Sequence, residues 1–146
     1  MKVKPSSKFQ VMQMAMQLEA LAKLAELWSW EWIATLSFWG PISRSRANRR
    51  YDQWIEAVKR KIGGRKFCWV RVTYRTSPDS IHFLVLVGGL VDGDRHGWGE
   101  LWGGKSQISL FDRGQHRIRN IFKKLSKESL DIDCHFPKDD READVV

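Results

Sequence analysis

The sequence is poor in cysteine, proline and tyrosine, and it has no long apolar run. Of its 146 residues only two are cysteine, four are proline and two are tyrosine. The two cysteines form no CxxC motif, and such sparse use is typical of a reduced compartment. No apolar run reaches the roughly 18 residues that a membrane span needs, and no small-residue cleavage site follows the first apolar residues. We therefore expect a cytoplasmic protein with no signal peptide and no membrane partner.

Acidic residues are the minority charge, and they are unevenly distributed. The chain has 25 Lys and Arg against 17 Asp and Glu, a net charge of +8. Six acidic and two basic residues lie in 131–146, a balance of −4, which leaves +12 for residues 1–130. This division predicts a basic body that binds a polyanion and a short acidic tail. Composition alone leaves open a basic surface that is merely solvated.

The patterning of apolar residues predicts seven secondary-structure elements. Recurrence every three to four positions indicates helices, and alternating or continuous apolar runs bounded by turn residues indicate strands. The predicted helices span about 6–27, 45–62 and 113–128, and the predicted strands span about 30–38, 66–75, 80–89 and 106–111. The glycine-rich segment 90–105 predicts a loop or a twisted ribbon.

This order of elements predicts one α+β domain over residues 1–130. We expect a mostly antiparallel sheet of four or five strands with helices packed on one face, ferredoxin-like or RRM-like, and an extra N-terminal helix. The other face of the sheet is expected to stay open for a ligand. Helix 6–27 is rich in methionine, whose flexible side chain adapts to varied apolar partners, so it is predicted to be a self-association or partner surface.

Residues that could carry chemistry are few. Strand alternation places His82 on the face opposite Val85, where an imidazole could bind a metal, a phosphate or a base edge. The alternative is a partly buried histidine that is hydrogen-bonded to a neighbour. Tyr51 lies on the apolar stripe of its helix and is expected in the core, whereas Tyr74 lies in the hairpin near His82. The polar residues of the glycine-rich segment match no calcium or zinc loop, and we find no Walker or GxSxG motif.

Basic and aromatic residues cluster in two predicted elements. The first cluster lies at the start of the second helix and comprises Arg44, Arg46, Arg49 and Arg50. The second lies on the last helix and comprises Arg117, Arg119, Lys123, Lys124 and Lys127. Three tryptophans nearby are candidate stacking platforms, namely Trp39, Trp98 and Trp102. A groove joining both clusters would suit single-stranded nucleic acid, because cations bind phosphates and indoles stack on bases.

Three short motifs give the chain a resemblance to a known family. They are TLSF at 35–38, HFL at 82–84 and NIFK at 120–123, and the similar region covers about 28–128. In order and spacing they resemble the motifs of rolling-circle replication initiators of plasmids and phages, which belong to the HUH endonucleases. The resemblance implies an HUH-type sheet and a DNA-binding protein.

The chain departs from that family at its reactive positions. The family holds a divalent ion with two histidines on one strand and attacks the phosphodiester with a helix tyrosine. Here Leu84 occupies the position of the second histidine, and Asn120 occupies the position of the tyrosine. The strand before the hairpin often brings an acidic residue in this family, and the matching position here is near Tyr74. The resemblance therefore implies binding of single-stranded or hairpin DNA without nicking, no cofactor and no catalytic residue. His82 and Tyr74 would be remnants, and His82 is the sole candidate metal ligand.

Two alternatives remain open at this point. One is an active nickase that uses Tyr74 as an atypical nucleophile together with a divalent metal. The other is a protein-interaction module of a mobile element that inhibits a host nucleic-acid enzyme.

Overall fold

A computed structural model describes residues 8–26, 29–63, 66–77, 80–89, 95–112, 118–125 and 129–136. In chain order the elements are α1 (Lys8–Ala25), β1 (Trp32–Ser37), α2 (Arg44–Lys61), β2 (Cys68–Ser77), β3 (Ser80–Gly88), α3 (Arg95–Trp102), β4 (Lys105–Leu110), α4 (Ile118–Leu125) and β5 (Ser129–His135). The predicted residues 113–117 and 126–128 of the last helix lie outside the described ranges.

The five strands form one sheet in the order β4-β1-β3-β2-β5, and each neighbouring pair is antiparallel. Elements β1 to β4, with α2 and α3, follow the βαββαβ order of a ferredoxin-like unit, in which β3 lies between β1 and β2. The N-terminal helix precedes this unit and β5 extends it. The predicted fold class, α+β with an antiparallel sheet and an extra N-terminal helix, is confirmed.

Helices α2 and α3 pack on one face of the sheet. On α2, Tyr51, Trp54 and Val58 recur at helical spacing and are buried against the sheet, as expected for an amphipathic helix. The helix begins where the Ser43 side chain accepts a hydrogen bond from the backbone N–H of Arg46 at 3.3 Å. The two helices of the βαββαβ unit thus share one face, whereas α4, which corresponds to the predicted last helix, packs on the other face.

The opposite face, which was expected to stay open, is covered by α1 and α4. Leu18 and Ala22 of α1 and Phe122 of α4 are buried in a second apolar cluster with Val72 and Leu86 of the sheet. The reason lies in the continuous apolar runs of β2 and β3. A strand that is apolar at successive positions carries apolar side chains on both faces, and both must be covered. The expectation of an open face is wrong.

The glycine-rich segment also differs from expectation, because residues 95–102 form helix α3 rather than a loop or ribbon. Trp98 and Trp102 lie four residues apart, so both indoles face the sheet and are buried. Gly99 lets the helix approach β4, since a Cβ there would lie 2.9 Å from Ser106 Oγ. Gly103 has φ +72° and follows the last helical residue, a conformation that glycine favours. Tertiary packing of two tryptophans outweighs the low helix propensity of glycine.

The predicted acidic tail, 131–146, begins inside the sheet. Residues 131–135 belong to β5, which pairs with β2. Ile132 packs into the cluster beneath α1 and α4, while Asp131 and Asp133 lie near Arg71 of β2. Polar and apolar residues alternate in this strand, as suits an edge strand. The net charge of the segment does not show this alternation. Residues 137–146 lie outside the described ranges.

Candidate nucleic-acid interface

The first turns of α2 carry a basic depression next to the loop that leaves β1. Arg46, Arg49 and Arg50 line it together with Pro41 and Ile42, and its volume is about 330 Å³. Arg46 and Arg49 are exposed. No acidic residue of α2 lies in its first turn, so the charges of Arg46 and Arg49 add to the positive end of the helix dipole. This end of α2 is therefore a region of positive potential open to solvent.

Arg50 is held more firmly than its neighbours. Its Nη2 donates a hydrogen bond to the carbonyl of Trp102 at 3.0 Å. Its guanidinium carbon lies 5.1 Å from the ring centroid of Phe38 and 5.4 Å from that of Trp102. Arg50 thus joins α2 to the end of α3, and its charge is fixed at the rim of the depression.

Arg44 forms an ion pair with an aspartate of β5. Its Nη2 donates to Asp131 Oδ2 at 2.7 Å. The bond draws this side chain toward β5, so Arg44 contributes less free positive charge to the surface than Arg46 and Arg49 do.

Trp39 lies beside the basic depression and is the most exposed of the tryptophans that the structure describes. Its exposed fraction is 74%, and it precedes Pro41 by two residues. Lys105 Nζ lies 5.2 Å from its ring centroid, within the range of a cation–π contact. Lys105 could not be predicted from the sequence, because its place beside Trp39 depends on the pairing of Ser37 with Lys105 across β1 and β4.

Trp98 and Trp102 are core residues, so their prediction as stacking platforms is wrong. Their exposed fractions are 1% and 3%. Trp102 Nε1 donates to the carbonyl of Ser37 at 2.8 Å, and the Trp98 ring packs edge-on against Trp32 with centroids 5.7 Å apart. Their four-residue spacing on α3 directs both rings into the sheet.

The two basic clusters do not form one groove. Lys123 and Lys124 are exposed on α4, but α4 packs on the face of the sheet opposite α2. The sheet therefore separates the clusters, and the single groove expected from the sequence is wrong. Arg117, Lys127 and the side chain of Arg119 lie outside what the structure describes.

The candidate remnant His82 has hydroxyl partners. Its Nε2 lies 2.9 Å from Thr76 Oγ1 and 3.0 Å from Ser80 Oγ, and its ring stacks on Tyr74 with centroids 5.1 Å apart. Partial burial, followed by the charge of Lys105, lowers the pKa of His82. His82 therefore fits the alternative stated above, a partly buried histidine that is hydrogen-bonded to its neighbours.

Leu84 and Asn120, which stand at the two motif positions described above, have no nucleophilic side chain. Leu84 is buried beneath α1 and α4, and Asn120 is exposed on α4. Burial raises the pKa of Tyr51 well above its ordinary value, so this fully buried phenol stays protonated. Among the residues that the structure describes, no three His, Cys, Asp or Glu side chains are grouped as a metal site.

A buried polar group between α2 and β2 was not predicted from the sequence. Arg71 is buried at 6% exposure, and its guanidinium carbon lies 4.5 Å from the ring centroid of Tyr51. Its Nη2 lies 3.6 Å from Asp131 and 3.8 Å from Asp133. The available signal was an arginine between valines in an apolar strand, because a buried charge needs a partner.

Within the described ranges, none of the helices has both the length and the apolar character needed to cross a bilayer. Compared with protein-family models, with curated proteins and with solved structures, the chain matches none of them.

Proposed function

We propose that this protein binds single-stranded or hairpin DNA at the surface formed by Trp39, Arg46, Arg49, Arg50 and Lys105, and that it does so without cutting the strand. The observation that carries this proposal is Trp39, an indole at 74% exposure with a lysine 5.2 Å from its ring centroid. It lies two residues from a depression lined by three arginines. We call these five residues the basic–aromatic surface.

The chemistry of the basic–aromatic surface suits a single strand. Arginine forks can bind phosphate oxygens in a bidentate manner, and their attraction weakens with salt as counterions are released. An exposed indole can stack on a base whose face is free, which contributes about 1–3 kcal/mol per base. In a duplex the base faces are already stacked, so Trp39 favours unpaired nucleotides such as those of a hairpin loop.

Binding without cutting is supported by the residues at the reactive positions of the resembled family. Leu84 has no ligand atom and Asn120 has no nucleophile for phosphate. His82 Nε2 already lies within hydrogen-bonding distance of Thr76 and Ser80.

The test is fluorescence anisotropy with a labelled single strand and a labelled hairpin, between about 50 and 200 mM salt. Three exposed cations, Arg46, Arg49 and Lys105, predict a slope of log affinity against log salt near −2, at about −0.7 for each phosphate contact. The double variant Arg46→Gln/Arg49→Gln should make the slope shallower by about 1.4. Arg60→Gln, on the exposed C-terminal end of α2, is the matched control and should leave it unchanged. A slope near zero for the unaltered protein would refute the proposal.

Trp39 separates stacking from charge in the same assay. Trp39→Ala should weaken binding by about 1–3 kcal/mol at every salt concentration without changing the slope. If Trp39→Ala binds as tightly as the unaltered protein, the indole does not stack on a base.

One observation favours a nickase as a second candidate, namely the stacked pair of Tyr74 and His82. A nickase would form a covalent phosphotyrosyl adduct with DNA in the presence of manganese, and Tyr74→Phe would abolish it. The adduct resists denaturing electrophoresis, so this readout is independent of the binding assay. The protein-interaction alternative would be favoured by a lack of DNA affinity at about 150 mM salt, well within the range where phosphate contacts are measurable.

A further inference from the structure

Several buried side-chain atoms of α2, β2 and β5 have no hydrogen-bond partner among the protein groups that the structure describes. They are Asn48 Oδ1, Tyr51 Oη, Trp69 Nε1, Arg71 Nε, Thr73 Oγ1 and Asp131 Oδ1. Tyr51 and Thr73 are 0% exposed, and Arg71 is 6% exposed. Buried polar groups in native proteins nearly always have a partner, either in the protein or in ordered water. These atoms therefore require a partner that is not a protein group.

Four of these side chains lie close together between α2 and the sheet. The guanidinium carbon of Arg71 lies 4.5 Å from the ring centroid of Tyr51, and its Nη2 lies 3.6 Å from Asp131 Oδ1. Thr73 pairs with Asp131 across β2 and β5, so their side chains are on the same face of the sheet. We call the region bounded by Tyr51, Arg71, Thr73 and Asp131 the α2–β2 polar site.

The charges around the α2–β2 polar site restrict what can bind there. A metal cation would be repelled by Arg44 and Arg71, whose guanidinium nitrogens lie 2.7 and 3.6 Å from the carboxylate oxygens of Asp131. An anion would be repelled by the carboxylates of Asp131 and Asp133, which lie 3.6 and 3.8 Å from Arg71 Nη2. A neutral molecule is therefore favoured.

The hydrogen-bonding groups of the site identify that neutral molecule. Arg71 Nε can only donate, and an ionised Asp131 can only accept. The hydroxyl groups of Tyr51 and Thr73 can do both. Water is small, and it donates and accepts in equal measure, so it can satisfy all four groups.

We propose that ordered water molecules occupy the α2–β2 polar site and bridge its four side chains. A buried water molecule typically makes about three hydrogen bonds, so a small cluster is enough to bond every group. The cluster joins α2 to both β2 and β5. It also hydrates the buried guanidinium of Arg71, whose 3.6 Å separation from Asp131 is longer than a direct hydrogen bond.

A high-resolution crystal structure of the protein tests the proposal directly. Electron density for water is expected within about 2.6–3.2 Å of Tyr51 Oη and of Thr73 Oγ1. In Thr73→Val the water peak beside residue 73 should disappear. The matched control Thr73→Ser keeps the hydroxyl group and should retain the peak. A site that holds no water in the unaltered protein, or that holds an ion instead, would overturn the proposal.

Thermal unfolding provides an independent test, because the two possible states of a buried hydroxyl predict opposite signs. Replacing a hydroxyl that has no partner with an apolar group of the same shape would raise the melting temperature, since an uncompensated polar group is removed. Replacing a water-bonded hydroxyl removes a hydrogen bond. We therefore expect Tyr51→Phe and Thr73→Val each to lower the melting temperature by about 2–4 °C. A higher melting temperature in both variants would overturn the proposal.

Discussion

Arg44 of α2 donates a hydrogen bond to Asp131 of β5 at 2.7 Å, across 87 residues of sequence. The other carboxylate oxygen of Asp131 lies 3.6 Å from Arg71, whose side chain is almost fully buried. Asp131 therefore fastens the last strand to α2 and also supplies negative charge to a guanidinium that has little access to water.

Removing that charge should destabilise the fold. Asp131→Asn should lower the free energy of unfolding by about 1–3 kcal/mol, because Arg71 stays buried with a weaker partner. Urea unfolding measures the change. Glu56→Gln is the matched control, since it breaks the exposed pair with Lys59 at 3.1 Å and should cost no more than about 0.5 kcal/mol. Equal small effects would show that Asp131 does not compensate the charge of Arg71.

Two tryptophans at opposite extremes of exposure should behave in opposite ways. Trp102→Ala should lower the free energy of unfolding by about 3–5 kcal/mol, because the buried ring packs against Phe38, Trp54 and Phe83. Trp39→Ala should change it by no more than about 0.5 kcal/mol, because that ring is mainly in water. Thermal and urea unfolding of both variants provide the measurement. A large loss of stability in Trp39→Ala would contradict its place on the surface.

Gly104 should tolerate no side chain. An added Cβ would lie 2.5 Å from the carbonyl oxygen of Ser37 and 2.7 Å from Trp102 Nε1. It would disturb the hydrogen bond that joins these two residues, so Gly104→Ala should destabilise the protein by about 1–3 kcal/mol. Gly40→Ala is the control, because nothing lies within 4 Å of a Cβ there. Similar melting temperatures for the two variants would contradict this close approach.

The lowered pKa of His82 should make stability depend on pH. Below about pH 6.5 the unfolded chain protonates this histidine more readily than the folded chain does. Protons then favour the unfolded state, so the contribution of His82 is complete above about pH 6.5 and is lost as the pH falls toward the folded pKa. His82→Gln should flatten this part of the profile, measured by urea unfolding between about pH 5 and 7.5. An unchanged pH profile would exclude the effect.

The elements that the sequence predicted well are those whose patterns are local. The apolar stripe of α2 depends on neighbours within a few residues, and the β2–β3 hairpin pairs strands that are close in sequence; both agree with expectation. α3 was not predicted, because its glycines indicate a loop. Two tryptophans stabilise the helix through tertiary contacts that local patterns do not reveal. β5 was missed because its carboxylates suggested a solvated tail, whereas Asp131 is bonded to Arg44 across the fold.

Part of the candidate interface could be predicted, because some of its residues are close together in the sequence. Arg46, Arg49 and Trp39 are close in sequence, so their common exposure could be inferred from one segment. Which face α4 covers could not be inferred, because that depends on how its apolar side chains pack against the sheet. Lys105 joins the surface only through the register between β1 and β4.

The helices on both faces of the sheet confine where this protein can acquire or change a binding preference. A strand of nucleic acid cannot lie flat on β1 and β3, because α2 and α3 occupy one side and α1 and α4 the other. The nucleic-acid ligand proposed above would instead contact connectors, strand edges and outer helix surfaces. The connector from Trp39 to Ile42 and the exposed side of α2 could therefore be exchanged as a unit to change the ligand, while the buried tryptophans that hold the sheet together stay the same.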